Sequence, residues 1–286
     1  MKVLFCTDGS RISYDALLNF VYWVKGCVVD VLCVADWTFL PDTVSVEGSN
    51  FAMKCANSVD SILEYSEHFF DENNITLGKK IKMCGTPVDT ILDVEEENYY
   101  DFLVMGSNGK KGFQKWLGSV SQELATVAKT STYVSKGLRK NNNKILFTLD
   151  ASDLSKDVVS ESLKKLNLEG KEITLLTVYE MPDYLFLEGN VDGNWIVEVE
   201  KKQKNEALHV LQYYEKMFND RGLEITYKSA LKGNPAKVII DYSDKNDIDL
   251  VISGIRTKKY YSRFFISSVS KRVLENVNSD VLIVKP

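Results

Sequence analysis

The chain is one unit written twice, and this internal repeat fixes the number of domains before any residue is read for chemistry. Lys2-Val-Leu-Phe-Cys-Thr-Asp8, followed by Gly9-Ser10, answers to Lys144-Ile-Leu-Phe-Thr-Leu-Asp150, followed by Ala151-Ser152. Val31-Leu-Cys-Val34 answers to Leu175-Leu-Thr-Val178, and Gly85-Thr86-Pro87 to Gly233-Asn234-Pro235. Asp101-Phe-Leu-Val-Met-Gly106 matches Asp249-Leu-Val-Ile-Ser-Gly254, and Ser119-Val120-Ser121 matches Ser268-Val269-Ser270. The loops share a pattern as well: Pro41-Asp42, four residues, Glu47-Gly48 recurs as Pro182-Asp183, four residues, Glu188-Gly189. The polar run Lys140-Asn141-Asn142-Asn143 has turn chemistry and no apolar period, so it reads as a linker between domains 1–139 and 144–286.

Within each half, short runs rich in β-branched residues alternate with amphipathic segments, the pattern of βαβ units around a parallel sheet. The fold class expected is α/β: two repeated doubly wound domains, each a five-stranded parallel sheet flanked by helices. In the first half, strands are expected near 2–7, 28–36, 76–83, 101–106 and 131–136, with helices near 11–25, 50–73, 87–98 and 119–129. In the second half, strands are expected near 144–149, 171–179, 222–230, 248–253 and 280–284. Pro87 suits the first turn of its helix, where its missing N–H costs nothing.

Composition narrows the partners. With 44% hydrophobic and 26% charged residues, 286 residues are enough for two ordinary cores. A net charge of -5 and a pI near 5.3 offer no basic footprint, so neither nucleic acid nor an anionic membrane surface is expected. The apolar start is cut short by Asp8, and no run of about 18 apolar residues follows, so the expectation is a cytoplasmic protein. Five cysteines, all in the first half and never spaced Cys-x-x-Cys, argue against a disulfide framework or a zinc site. Cys6 and Cys33 fall in strands and read as small buried hydrophobes, while His68 and His209 lie in helices far from any glycine-rich turn.

Ligands of an open parallel sheet bind outside the carboxyl ends of its strands, where the strand order reverses. In the first half that rule selects the turn Thr7-Asp8-Gly9-Ser10 and the turn Gly106-Ser107-Asn108-Gly109. The second turn runs on to Gly118-Ser119-Val120-Ser121, where a helix begins. Glycines permit close approach of backbone to ligand, and the N–H groups of a helix start favour an anion, for which phosphate is the natural occupant. Two readings without a ligand stand beside this one. Ser119 with Gln122 fits a capping box, and Asp8 fits a turn that Gly9-Ser10 closes onto the first helix. Neither Gly-x-x-x-x-Gly-Lys-Ser/Thr nor a strand-one Gly-x-Gly-x-x-Gly occurs.

The Gly106-x-x-Gly109 pair, the later Gly118-Ser119, the Asp-ended first strand, the Val closing strand two and the Gly-x-Pro before helix three together resemble the universal stress protein family. That resemblance covers nearly the whole chain. It implies ATP as ligand, with Thr7, Asp8 and Val34 on adenine and ribose and with Gly106, Ser107, Gly109, Gly118, Ser119 and Val120 around the phosphates. It also implies Mg or Mn on the triphosphate. One departure is that eight residues, Lys110 to Leu117, separate Gly109 from Gly118, against nine in the family pattern.

The function expected is an ATP-binding stress-response or signalling module with little or no turnover, since no general base stands at the phosphate turn; slow hydrolysis stays open. The alternatives are an interaction protein with both pockets empty, and an ATP hydrolase of the related nucleotide-α-hydrolase class. The latter needs a Ser-Gly-Gly-x-Asp-Ser turn, which Thr7-Asp8-Gly9-Ser10 does not match. In the second half Asp150, Val178 and Gly254 keep the base side. Thr257 replaces the second glycine, Ser267-Ser268 replaces Gly-Ser, and the basic residues Arg256, Lys258, Lys259 and Arg263 lie between. At most one ATP per chain is expected. The halves are expected to pair as an intrachain pseudo-dimer through their last strands, with a further homodimer left open.

Overall fold

The computed structural model describes residues 1–37, 57–107, 117–139, 141–181, 193–256 and 265–285. The chain divides into two compact units, one built chiefly from Met1–Lys140 and the other chiefly from Asn141–Thr257 and Ile266–Val284.

The first unit runs β1 (Lys2–Cys6), α1 (Arg11–Val21), β2 (Val28–Asp36), α2 (Asp60–Glu72), β3 (Thr76–Gly85), α3 (Pro87–Glu97), β4 (Phe102–Gly106), α4 (Ser119–Val127) and β5 (Ser131–Ser135). Its strands lie in the order β3-β2-β1-β4-β5, each parallel to its neighbour, so the order reverses between β1 and β4. Val3, Leu4 and Phe5 are fully buried, as the uninterrupted apolar reading of β1 requires of a strand covered on both faces. Phe5 meets Tyr14 of α1 and Phe70 of α2 on one face. Helices α3 and α4 pack against each other, and α4 packs against β5.

The second unit runs β6 (Lys144–Thr148), α5 (Asp153–Lys165), β7 (Glu172–Tyr179), α6 (Gly193–Asn219), β8 (Tyr227–Lys232), α7 (Pro235–Lys245), β9 (Leu250–Arg256), β10 (Phe265–Ile266), α8 (Ser268–Asn276) and β11 (Asp280–Val284). Its order is β11-β9-β6-β7-β8, again with parallel neighbours, and the short β10 pairs with β9.

Most expected elements stand where the sequence put them. Strand β8 begins at Tyr227 instead of near 222 because α6 runs to Asn219 and a glycine stop follows. Gly222 takes a left-handed φ of 73°, and the Leu223 N–H folds back onto the Phe218 carbonyl at 3.1 Å. Helix α1 ends at Val21 rather than near 25, and Gly26 turns at φ 65° two residues before β2. The two-residue β10 is too short for periodicity to reveal. The expected helix start at 50–56 lies outside the described residues.

Cys6, Cys27 and Cys33 are free thiols, but Cys84 is disulfide-bonded to a partner outside the described residues. The sequence reading, which argued against a disulfide framework from the absence of Cys-x-x-Cys, did not foresee this bond. Burial pushes the Cys6 thiol pKa upward, in keeping with an inert packing role.

Candidate functional site

Strand β1 ends in a turn closed by its own hydroxyls. The Thr7 N–H donates to the Leu32 carbonyl at 3.0 Å, carrying the β1–β2 ladder one residue past the strand. Gly9 takes a left-handed φ of 76°, and its N–H donates to Thr7 Oγ1 at 3.0 Å. The Ser10 N–H donates to Asp8 Oδ1 at 3.0 Å, and Ser10 is the N-cap of α1, its hydroxyl accepting from the Ser13 N–H. Asp8 is exposed and Thr7 is buried. The turn role weighed for Asp8 is therefore present, and an ionised carboxylate has lone pairs for more than one donor.

Val34, half-buried, lies on β2 two positions past Leu32, the residue that pairs with Cys6, so it borders the same carboxyl edge as Asp8. Across the switch point, Gly106 closes β4. A Cβ at Gly106 would come within 2.9 Å of Ile12 Cγ2 and 3.1 Å of the Ile12 backbone, so close packing against α1 accounts for this glycine by itself. Ser107 is buried; its N–H donates to the Ser135 carbonyl at 2.7 Å, and its carbonyl accepts the Gly118 N–H at 2.6 Å. Gly109 lies outside the described residues.

Helix α4 begins differently from the capping box considered in the sequence. Gly118, not Ser119, is the N-cap, in extended geometry at φ -65° and ψ 148°, and it has no side chain with which to cap the first turn. Ser119 is the first helical residue and is exposed, and Val120 beside it is half-buried. The Gly118 N–H is spent on Ser107, and the first-turn N–H groups that have no acceptor within the helix belong to Ser119, Val120 and Ser121. Gly118 matters here through its missing side chain, and its φ is one any residue adopts.

Two residues absent from the sequence-derived site shape it. Ser121 donates its hydroxyl to the Gly106 carbonyl at 2.7 Å and latches α4 to the end of β4. Ser13 joins Thr7 Oγ1 at 2.7 Å and donates to the Ser10 carbonyl at 2.7 Å. The signal for both was the repeat itself, since Ser270 and Ser155 stand at the matching positions.

The second unit keeps the frame and fills it in. Ser270 donates to the Gly254 carbonyl at 2.7 Å, and a Cβ at Gly254 would come within 2.7 Å of Val158 Cγ2. At the helix start, however, Ser267 is the N-cap of α8 and its Oγ accepts the Ser270 N–H at 2.9 Å. At the first turn, Leu149 replaces Thr7, and Asp150 Oδ1 accepts the Ser152 N–H at 3.0 Å, the Ser152 hydroxyl, and the Ser155 hydroxyl at 2.7 Å. Thr257, Lys258, Lys259 and Arg263 lie outside the described residues, as does the side chain of Arg256.

The repeated, doubly wound α/β unit places the chain in a class of sheet proteins whose ligands, where they bind one, sit at the carboxyl edge by the switch point. The model of the universal stress protein family matches residues 1–136 and again 141–285. The chain belongs to the universal stress protein family, as a tandem member. A universal stress protein of Methanocaldococcus jannaschii is 27% identical over 142 residues, half of this chain and 81% of the relative. One of Synechocystis is 28% identical over 153 residues, half of this chain and 97% of the relative. The crystal structure of a universal stress protein from Archaeoglobus fulgidus superposes with a TM-score of 0.68 at 21% identity, covering 99% of this chain and 98% of that one, a likeness of fold.

Proposed function

We propose that the first unit holds ATP or a related adenine nucleotide, that the second does not hold one in the same manner, and that the chain works in the cytoplasm as a stress-response or signalling module with little or no turnover. The observation that carries this reading is the contrast between two equivalent helix starts. At α4 the N-cap is a glycine, which has no side chain to accept from the first turn, whereas at α8 the Ser267 hydroxyl takes the Ser270 N–H. A helix start with unclaimed N–H groups favours a phosphate through both hydrogen bonds and the helix dipole.

Asp8 and Val34 border the same edge and suit the sugar and base. Ser119 and Val120 suit the phosphates, with Gly118 giving room and Gly106 and Ser107 fixing the strand end; Gly109 belongs to the proposed cradle by its place in the sequence. No cluster of His, Cys, Asp or Glu among the described residues is arranged to hold a metal, so Mg or Mn would be carried on the nucleotide's own oxygens. His68 on α2 and His209 on α6 stand on helices apart from both turns, which favours holding over hydrolysis.

The alternative of an interaction protein with empty pockets draws on two facts: Asp8 serves its own turn, and Gly106 is explained by Ile12. Native mass spectrometry of the full chain, purified without added nucleotide and then titrated with ATP, separates the two readings. One adenine nucleotide per chain is expected; a chain that takes up none in either condition overturns the proposal.

A further inference from the structure

The turn that leads from α4 into β5 is held by ionisable side chains, whereas neutral hydroxyls meet at the matching turn of the second unit. Glu95 on α3 is buried; its Oε1 accepts the Thr130 N–H, and its Oε2 is buried without a hydrogen-bond partner among the described residues. Lys285, which packs as part of the first unit, holds the same turn. Its N–H donates to Ser131 Oγ at 3.0 Å, and its buried Nζ donates to the Ala128 carbonyl at 2.6 Å and to Thr132 Oγ1 at 3.4 Å. Ala128 is the C-cap of α4, where the helix dipole favours a cation. In the second unit Ser243 and Ser279 stand at the places of Glu95 and Thr130. Their hydroxyls bond each other, and Ser279 donates to the Ile248 carbonyl at 2.7 Å.

Neutral groups suffice at such a turn, and buried ions are a costly way to hold one, so stability alone does not account for the ionisable pair. An amine taken out of water onto a carbonyl and a hydroxyl loses solvation without gaining a bonded anion, which disfavours its charged form. Burial pushes the Lys285 pKa down to about 7, against the opposing pull of the Glu95 carboxylate. Lys129, on the turn itself, is exposed and paired with Glu96, and Pro286 lies outside the described residues. We propose that Lys285 and Glu95 form a pH-responsive latch on the Ala128–Thr132 turn, which closes as the buried amine gives up its proton and loosens as the amine takes one up. Nothing in this latch depends on a nucleotide at the far end of α4.

The sign follows from proton linkage. A lysine in water keeps its proton up to about pH 10.4, so between the closed and the open values the opened turn binds the proton more tightly than the closed one. Opening is therefore favoured by about tenfold for each pH unit descended through that window, and is indifferent to pH below it. The test is carbon-13 NMR of the full chain with labelled lysine, titrated from pH 6 to pH 10.5, with the Lys285 resonance assigned by its loss in Lys285→Met. Its midpoint is expected near neutrality, well below those of the exposed lysines; a Lys285 that titrates with them overturns the proposal. Glu95→Gln removes the charge that helps to keep the proton on, so the midpoint should fall further. An unchanged midpoint overturns the pairing of the two residues.

Urea unfolding of the full chain at pH 6.5 and pH 9.5 provides a second check. The unsubstituted chain is expected to gain in midpoint relative to Lys285→Met as pH rises, because the cost of the buried charge disappears. A merely structural side chain predicts a difference that stays the same at both pH values, and that result refutes the latch. Should Lys285→Met not fold, Lys285→Gln, which keeps a donor for the Ala128 carbonyl but has no proton to lose, serves for the assignment and for the comparison.

Discussion

At the scale of single residues, the phosphate side of the first unit turns on one missing side chain. Gly118→Ser is expected to cap α4 as Ser267 caps α8, raising stability by about a few tenths of a kcal/mol. Because the new hydroxyl would claim the Ser121 N–H, ATP affinity should fall by about tenfold. Melting temperature and calorimetry on the same protein would read the two changes in opposite directions; a loss of both, or of neither, would place the phosphates elsewhere. Gly106→Ala should behave differently, since its Cβ meets the Ile12 backbone at 3.1 Å. It is expected to cost about 1–3 kcal/mol in urea unfolding through overpacking, whether or not nucleotide is present. The sequence made the turns legible because glycine, serine and aspartate cluster there. It did not reveal which glycine is packed against a helix and which one caps a helix start. Gly106 and Gly118 look alike in a string of letters, and only the distance to Ile12 and the N-cap assignment separate them.

At the scale of elements, a buried acid pins the irregular pairing of β2 with β3. Asp30 is buried at the bulge between Val29 and Val31, where its Oδ1 accepts the Lys79 N–H at 2.7 Å and its Oδ2 the Tyr100 hydroxyl at 2.9 Å, with Lys2 Nζ 3.2 Å away. Burial by itself would raise its pKa, but the Lys79 N–H, the Tyr100 hydroxyl and the Lys2 ammonium outweigh burial and hold it below the usual carboxylate range. A lowered folded pKa gives stability that is fully present above the unfolded value of about 3.9 and is lost as pH falls through the folded one. Asp30→Asn is therefore expected to destabilise by about 2 kcal/mol at neutral pH. The gap should close as the acid limb is descended, and chemical denaturation from pH 7 to pH 2.5 would show it; a gap constant with pH would contradict the assignment. The strap from edge strand to helix is repeated too: Lys80 to Glu67 at 2.6 Å, and Lys228 to Glu215 at 2.5 Å. Element order was readable from alternating apolar periods, whereas the start of β8 was not, because it depends on where the Gly222 stop falls.

At the scale of the whole molecule, two copies of one frame differ at their helix starts. Titration of the full chain with ATP is expected to saturate at one equivalent, and two equivalent sites would contradict the reading of α8 as self-capped. The repeat made the tandem organisation plain from the sequence, since paired motifs recur at a nearly constant offset. The asymmetry was only half legible: the glycine lost at position 267 and the leucine at Thr7's counterpart could be seen, but the hydrogen bond from Ser155 to Asp150 could not. The serine latches on Gly106 and Gly254 carry a wider lesson. Both copies keep the latch and the close-packed glycine, although only one has a glycine at its helix N-cap, so the strand-end glycine records architectural debt to the helix beneath it. When such chains are sorted into ligand holders and silent copies, the letter at the helix threshold should weigh more than the count of glycines before it.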